Sequence, residues 1–123
     1  MLEAYSLNIT AGANSTIPFN STSLIKGCTV THPSPDTFNL NKCGVYMVEV
    51  DVSASAATTI QLFKDGVAQP QAQSTGNSPS FTTLVQASHN NCDCPCASPT
   101  VLQIKNTVAG TLTDANIVIT KVS

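Results

Sequence analysis

One long stretch of strict alternation limits this chain to a β fold. From Gly44 to Ala54 the sequence is GVYMVEVDVSA, in which Tyr46 and every second residue after it are apolar. The residues between them are Met47, Glu49, Asp51 and Ser53. A period of two places the two sets on opposite faces of an extended strand. The stretch therefore predicts a strand with one face in a core.

The rest of the chain follows the same pattern. Thr58 to Phe63 repeats the alternation, Lys64-Asp65-Gly66 supplies a turn, and we expect this segment to form a buried strand pair with Gly44 to Ala54. Further strands are predicted at Ala4 to Ile9, Lys26 to Thr31, Ser80 to Ser88, Thr100 to Lys105 and Asn116 to Val122. Val67 to Pro79, rich in Gln, Ser, Gly and Pro, is predicted to be a loop. With no helical periodicity, the sequence predicts an all-β antiparallel sandwich of about eight to ten strands.

Length and composition favour one exposed domain. The 123 residues suffice for a single core, with an ordered body predicted over 4–122. Charged residues make up 10% of the chain, below the roughly 25% of an ordinary globular protein. Ser, Thr, Asn and Gln contribute 13, 16, 10 and 6 residues in their place. Such a neutral surface suits a coat, a fibre or a secreted particle.

Charge and hydropathy exclude two classes of partner. The chain has five Lys, no Arg and a net charge of −2, so it lacks the cation clusters and Arg forks that grip nucleic acid. No run of about 18 apolar residues occurs, so we expect no membrane insertion. The start, Met1-Leu2-Glu3, lacks the features of a signal peptide. We expect the sequence to be a piece of a longer chain.

The closing strand is apolar on both faces. Ile117 and Ile119 lie on one face, and Val118 and Val122 lie on the other. Such a strand is buried once in the sandwich and once against something outside it. The residues expected to contribute to the core or to subunit contact are Tyr5, Phe81, Leu84, Ile117 and Ile119.

Two segments carry a resemblance to a known superfamily. Phe38 to Tyr46 (FNLNKCGVY) and Ile60 to Gly66 (IQLFKDG) resemble the core signature of the complement-type and tumour-necrosis-factor-type jelly rolls. Ala115 to Val122 (ANIVITKV) is similar to the last strand of that fold. Ile17 to Asn20 (IPFN) and Leu102 to Thr107 (LQIKNT) resemble more closely the bacterial members. These are the C-terminal heads of collagen-like exosporium glycoproteins of spore formers and related phage structural proteins.

The resemblance implies a compact homotrimer that nucleates or caps a fibrous stalk, without catalysis and without a cofactor. Its place would be the spore exosporium, the cell surface or a virion, with assembly, capping and display as its role. No collagen-like Gly-X-Y tract is present, so the stalk is an expectation. An alternative is a tip that binds a host receptor or a glycan through the loops at Val67 to Pro79 and His89 to Pro99.

The cysteines leave two kinds of chemistry open. Cys28, Cys43, Cys92, Cys94 and Cys96 allow two disulfides and one further thiol. An exterior setting favours bridges within or between subunits. Alternatively, His89 with Cys92, Cys94 and Cys96 could hold zinc and stabilise the trimer. Zinc sites favour Cys-x-x-Cys loops, which this segment lacks, so no metal site is predicted outright.

Other titratable residues give no catalytic pattern. Glu49 and Asp51 could form a carboxylate pair, but this spacing usually marks the solvated face of a strand, and calcium requires six or more oxygens. His32 and His89 lie in loop-like sequence, and no Gly-x-Ser-x-Gly motif is present. The sequence therefore predicts surface histidines and a protein that is not an enzyme.

Overall fold

The computed structural model describes residues 1–27, 29–87 and 99–123, and the regular structure in these ranges is entirely β. The strands are Leu2–Ala11 (β1), Ser15–Thr16 (β2), Ser21–Ile25 (β3), Val30–Ser34 (β4), Thr37–Leu40 (β5), Gly44–Ala54 (β6), Thr58–Lys64 (β7), Val67–Gly76 (β8), Ser80–Ala87 (β9), Thr100–Asn106 (β10) and Gly110–Lys121 (β11). The same ranges contain no helix long and apolar enough to cross a bilayer.

The strands form two antiparallel sheets packed face to face. The five-stranded sheet has the order β3-β1-β11-β6-β9, and the six-stranded sheet has the order β4-β5-β10-β7-β8, with β2 pairing on β10. Successive strands lie in different sheets, except that β4 and β5, and likewise β7 and β8, are neighbours in the six-stranded sheet. The predicted antiparallel β-sandwich is confirmed.

The core lies between the inward faces of the two sheets. The alternation predicted for β6 is confirmed, because Tyr46, Val48 and Val50 are fully buried. Leu102 and Ile104 of β10 face them from the other sheet and are buried as well. The core thus follows the period of two along each strand, as burial of one sheet face requires.

An apolar segment outside the strands closes one side of this core. Ile17 and Phe19 are buried, and the Ile17 backbone N–H donates to the Ile104 carbonyl at 2.7 Å. The Phe19 ring meets the Phe38 ring edge to face, with 5.5 Å between centroids. Residues 17–19 therefore lie outside the regular strands and cover the core beside β10. We call them the 17–19 segment.

The prediction that β6 and β7 form a buried strand pair is wrong. β6 pairs with β11 and β9, and β7 pairs with β10 and β8 in the other sheet. The connection at 55–57 crosses the sandwich instead of forming a hairpin. Periodicity identifies a strand and its buried face, but it carries no information on which strand lies beside it.

The predicted loop at Val67 to Pro79 is also wrong for most of its length, because Val67–Gly76 is strand β8. The Asp65-Gly66 turn joins β7 to β8 and pairs Lys64 with Val67, so the turn prediction is confirmed. β8 is an edge strand, and Gln, Ser and Thr make up half of its 10 residues. An edge strand is held by backbone hydrogen bonds and needs no alternating apolar pattern. The polar composition of this segment therefore gave no sign that it forms a strand.

The strand predicted at Lys26 to Thr31 falls between two real strands. β3 ends at Ile25 in the five-stranded sheet, and β4 begins at Val30 in the six-stranded sheet. Gly27 lies between them with a φ of 73°, a left-handed conformation that glycine adopts without strain. The chain turns here from one sheet to the other.

Candidate interface on the five-stranded sheet

The five residues expected to make core or subunit contacts occupy two different places. Ile117 and Ile119 of β11 are fully buried between the sheets, and Phe81 of β9 is half-buried against the same core. Tyr5 and Leu84 lie instead on the side of the five-stranded sheet that faces away from the core. Leu84 is 61% exposed. We call this side the outer face.

Pairing registers bring several apolar side chains together on the outer face. Met47 of β6 lies opposite Leu84 of β9 and opposite Thr120 of β11. Val118 lies in the next outward row of β11, and Tyr5 lies opposite Asn116 in the row after that. Met47, Val118 and Tyr5 are half-buried in the single chain. Side chains directly opposite each other on one face are within contact distance, so these rows form a mixed apolar surface.

Carboxylates are interleaved with this apolar surface. Val118 lies opposite Glu3 on one side and opposite Glu49 on the other. Asp51 lies opposite Asn116, and Asp114 lies opposite Leu7. Glu3 accepts a hydrogen bond from the Ser23 hydroxyl at 2.7 Å. The outer face thus combines apolar groups with four of the seven acidic side chains of the protein.

The closing strand is less apolar on its outward side than we expected. Val118 is the apolar residue that β11 places there, between the polar Asn116 and Thr120. Val122 follows the end of β11 and is 51% exposed, and its backbone N–H donates to the Val45 carbonyl. The remaining apolar area comes from neighbouring strands. A single-strand pattern could not reveal these neighbours, because cross-strand partners are far apart in sequence.

Most of the candidate cysteine chemistry lies outside the described residues. Cys28, His89, Cys92, Cys94 and Cys96 belong to that excluded part, so the disulfide and zinc predictions that involve them remain predictions. Cys43 is half-buried just before β6. Among the residues that the structure describes, no three His, Cys, Asp or Glu side chains are grouped so that they could hold a metal ion.

His32 is a structural link between the two sheets. Its ring stacks on Phe38 with 4.3 Å between centroids. Its Nδ1 lies 3.1 Å from the Thr22 hydroxyl on β3, and its Nε2 lies 3.1 Å from the Pro35 carbonyl. The ring therefore joins an edge strand of one sheet to an edge strand of the other, a role that its position in loop-like sequence did not indicate.

Asp36, close to this link, carries a shifted pKa. Its carboxylate accepts hydrogen bonds from the Ser34 hydroxyl at 2.8 Å and from the Thr37 hydroxyl at 3.1 Å. The Ser34 bond is the largest cause that holds the pKa of Asp36 below its ordinary value, with Thr37 and the nearby His32 acting in the same direction. Hydrogen bonds to the charged form favour that form.

One small cavity opens at the end of the sandwich where β6 passes into β7. Ala54, Thr58, Val108 and Leu112 are among its lining residues, and its volume is about 10 Å³. This is room for one water molecule, whereas small-molecule sites are of roughly 300 Å³ or more. The cavity cannot hold a substrate.

Solved structures similar to this chain share its fold at low sequence identity. The globular domain of zebrafish complement 1qA protein superposes with a TM-score of 0.76 at 10% identity, over 99% of this chain and 96% of that one. The tumour necrosis factor Eiger from S. frugiperda gives a TM-score of 0.66 at 12% identity, over 98% and 92%. Rabbit GITRL gives 0.63 at 12% identity, over 100% and 95%.

These likenesses define the fold class. The chain is an all-β sandwich with the complement-type and tumour-necrosis-factor-type jelly roll, as the sequence resemblance predicted. No protein-family model matches the sequence, and no curated protein matches it either. At these identities the likeness concerns the fold, and function requires a separate argument.

Proposed function

We propose that the protein is a non-catalytic homotrimeric head domain whose subunits associate through the outer face of the five-stranded sheet. The observation that carries this proposal is the apolar surface formed by Leu84, Met47, Val118 and Tyr5 on a sheet face that the described part of the chain leaves uncovered. Apolar side chains grouped on an exposed sheet face and surrounded by polar residues mark interaction sites.

A second copy of the chain is the occupant to which the fold resemblance points. Cyclic symmetry lets each subunit use one patch, so three identical chains cover their faces without leaving an open end. Burial of apolar area contributes roughly 25 cal/mol per Å², and a specific interface buries about 1,600 Å² in total. Only part of that energy remains after the costs of association, and interfaces of this size range from micromolar to picomolar affinity.

We place this head domain on an extracellular structure, as the cap of a bacterial spore-surface or virion fibre. The sequence resemblance and the neutral, amide-rich surface support this setting, in which a collagen-like stalk or fibre would be the partner. Assembly, capping and display would then be the work of the domain, and no residue would need to act as a catalyst.

The oligomeric state of the purified chain tests the proposal. Light scattering coupled to gel filtration should give three times the chain mass of 12.8 kDa. Leu84→Asp places a charge at the β9 edge of the apolar surface, directly opposite Met47, and should yield folded monomers. Val67→Asp is a matched control, because Val67 is 63% exposed on the other sheet and should leave the trimer intact. A wild-type monomer at all concentrations would remove the proposal.

The two alternatives are separable by other measurements. A receptor- or glycan-binding tip was expected to use 67–79 and 89–99, and the first of these is largely strand β8 with exposed Gln side chains. Glycan-array binding that is lost on substituting these residues, with the trimer intact, would support it. Stoichiometric zinc in the purified protein would support a metal-stabilised trimer.

A further inference from the structure

We propose that association through the outer face is coupled to proton uptake, so that acidification strengthens the assembly. This inference rests on the proposed function. Its basis is the register that places Val118 between Glu3 and Glu49, with Asp51 beside Asn116 in the adjacent row. A partner that covers Val118 therefore also approaches the carboxylates on both sides of it.

Burial of these carboxylates in their charged form opposes association. An ionised carboxylate that leaves water without a cationic partner carries a large desolvation cost. A group in that position takes up a proton instead, because burial and like charge both favour the neutral form. Three copies would each bring the same four acidic side chains to the contact, so like-charge repulsion adds to the cost.

Among the described residues, the cations near the outer face lie at its β1–β3 edge, away from Glu49 and Asp51. β1 contributes Glu3, β6 contributes Glu49 and Asp51, and β11 contributes Asp114. β9 presents the neutral Thr82, Leu84 and Gln86, and the edge strand β3 presents neutral side chains. Lys26 pairs with Met1 at that edge, where the Met1 ammonium donates to the Lys26 carbonyl at 3.3 Å. The other lysines lie elsewhere: Lys64 and Lys105 on the other sheet, Lys42 before β6, and Lys121 at the end of β11 with its Nζ bonded to the Ser123 carbonyl.

The sign of the pH dependence follows from linkage. If the assembled state binds more protons than the separate chains, the association constant rises as the pH falls. Each proton taken up contributes up to about tenfold per pH unit. Replacing Glu49 by glutamine removes one charge per subunit at nearly constant shape, so it should reproduce at neutral pH part of the effect of acid.

Sedimentation velocity on the full chain provides the test, with wild type, Glu49→Gln and the control Asp65→Asn, which removes a carboxylate from a turn of the other sheet. Between about pH 8 and pH 5 the wild-type association constant should rise at least tenfold. Glu49→Gln should associate at least tenfold more tightly than wild type at pH 8 and depend less on pH. Asp65→Asn should match wild type. A trimer too tight to dissociate on dilution is compared by the urea concentration that separates its subunits.

The outcomes distinguish this inference from the proposed function. Monomers at every pH and concentration would remove both. A trimer that is unaffected or weakened by Glu49→Gln would overturn the inference alone, and weakening would indicate that a lysine of the neighbouring copy pairs with this carboxylate. A trimer that tightens at pH 8 on addition of calcium or magnesium, with no response to acid, would also overturn it, because the face would then bind metal ions and not protons.

Discussion

The hydroxyl of Ser6 anchors the 17–19 segment to strand β1. Ser6 is buried on β1, where its Oγ donates to the Pro18 carbonyl at 2.8 Å and accepts from the Asn20 backbone N–H at 2.6 Å. Ser6→Ala leaves both backbone groups without this partner, so we expect it to lower the free energy of unfolding by about 1–3 kcal/mol. Urea denaturation measures this loss. Ser23→Ala, which removes an exposed hydroxyl, should cost less than about 0.5 kcal/mol. Equal effects would contradict the prediction.

The carboxyl of Asp36 gives a prediction about pH. Because the Ser34 hydroxyl lowers the pKa of Asp36 in the folded state, Ser34→Ala should raise that pKa toward its ordinary value, as an NMR titration would show. A depressed folded-state pKa adds stability above the unfolded-state pKa and loses it as the pH falls through the folded-state pKa. Ser34→Ala should therefore lose less than about 1 kcal/mol at neutral pH, since the group is partly solvated, and this loss should shrink in acid. An unchanged pKa would disprove the assigned cause.

At the scale of elements, the hairpin between β7 and β8 depends on two left-handed residues. Asp65 and Gly66 have φ values of 51° and 82°, the backbone of a type I′ turn. A Cβ on Gly66 would meet no atom within 4 Å, so the cost of Gly66→Ala comes from its backbone alone, at about 1–2 kcal/mol. Asp65→Asn should hardly change the free energy of unfolding. Asparagine also tolerates a positive φ, and it keeps the side-chain oxygen that accepts from the Val101 backbone N–H. Chemical denaturation of both variants checks the contrast, and a Gly66→Ala chain as stable as wild type would refute it.

The elements that sequence predicted best are those with one buried face. β6 has an uninterrupted alternation, and its strand bounds and its inward residues match the pattern. β8 was missed because an edge strand is held by backbone hydrogen bonds, which side-chain composition does not report. The assignment of β6 and β7 to one pair failed for another reason: a three-residue connection such as 55–57 serves both a hairpin and a crossing between sheets.

At the scale of the molecule, sequence predicted the class of fold and part of the candidate interface. Ile117, Ile119 and Leu84 were all expected to contribute either to the core or to subunit contact; the first two are fully buried in the core, and Leu84 is exposed on the outer face. Met47 was placed correctly on the outward side of β6, but its position opposite Leu84 depends on the pairing of β6 with β9, which no local pattern contains. The same pairing rules place Glu3 and Glu49 around Val118. To predict an interface on a sheet face from sequence, one must therefore first know the order of the strands.

A trimer built on the outer face makes stability depend on concentration. If folding and association are coupled, each tenfold rise in protein concentration adds about 1 kcal/mol per chain, which raises the Tm by several degrees in a domain of this size. Calorimetry over a hundredfold range of concentration should show this rise for wild type and for Val67→Asp. Leu84→Asp should show a Tm that does not change with concentration, because its chains unfold singly. A wild-type Tm that is independent of concentration would mean that the sheet face contributes nothing to the stability of the folded chain.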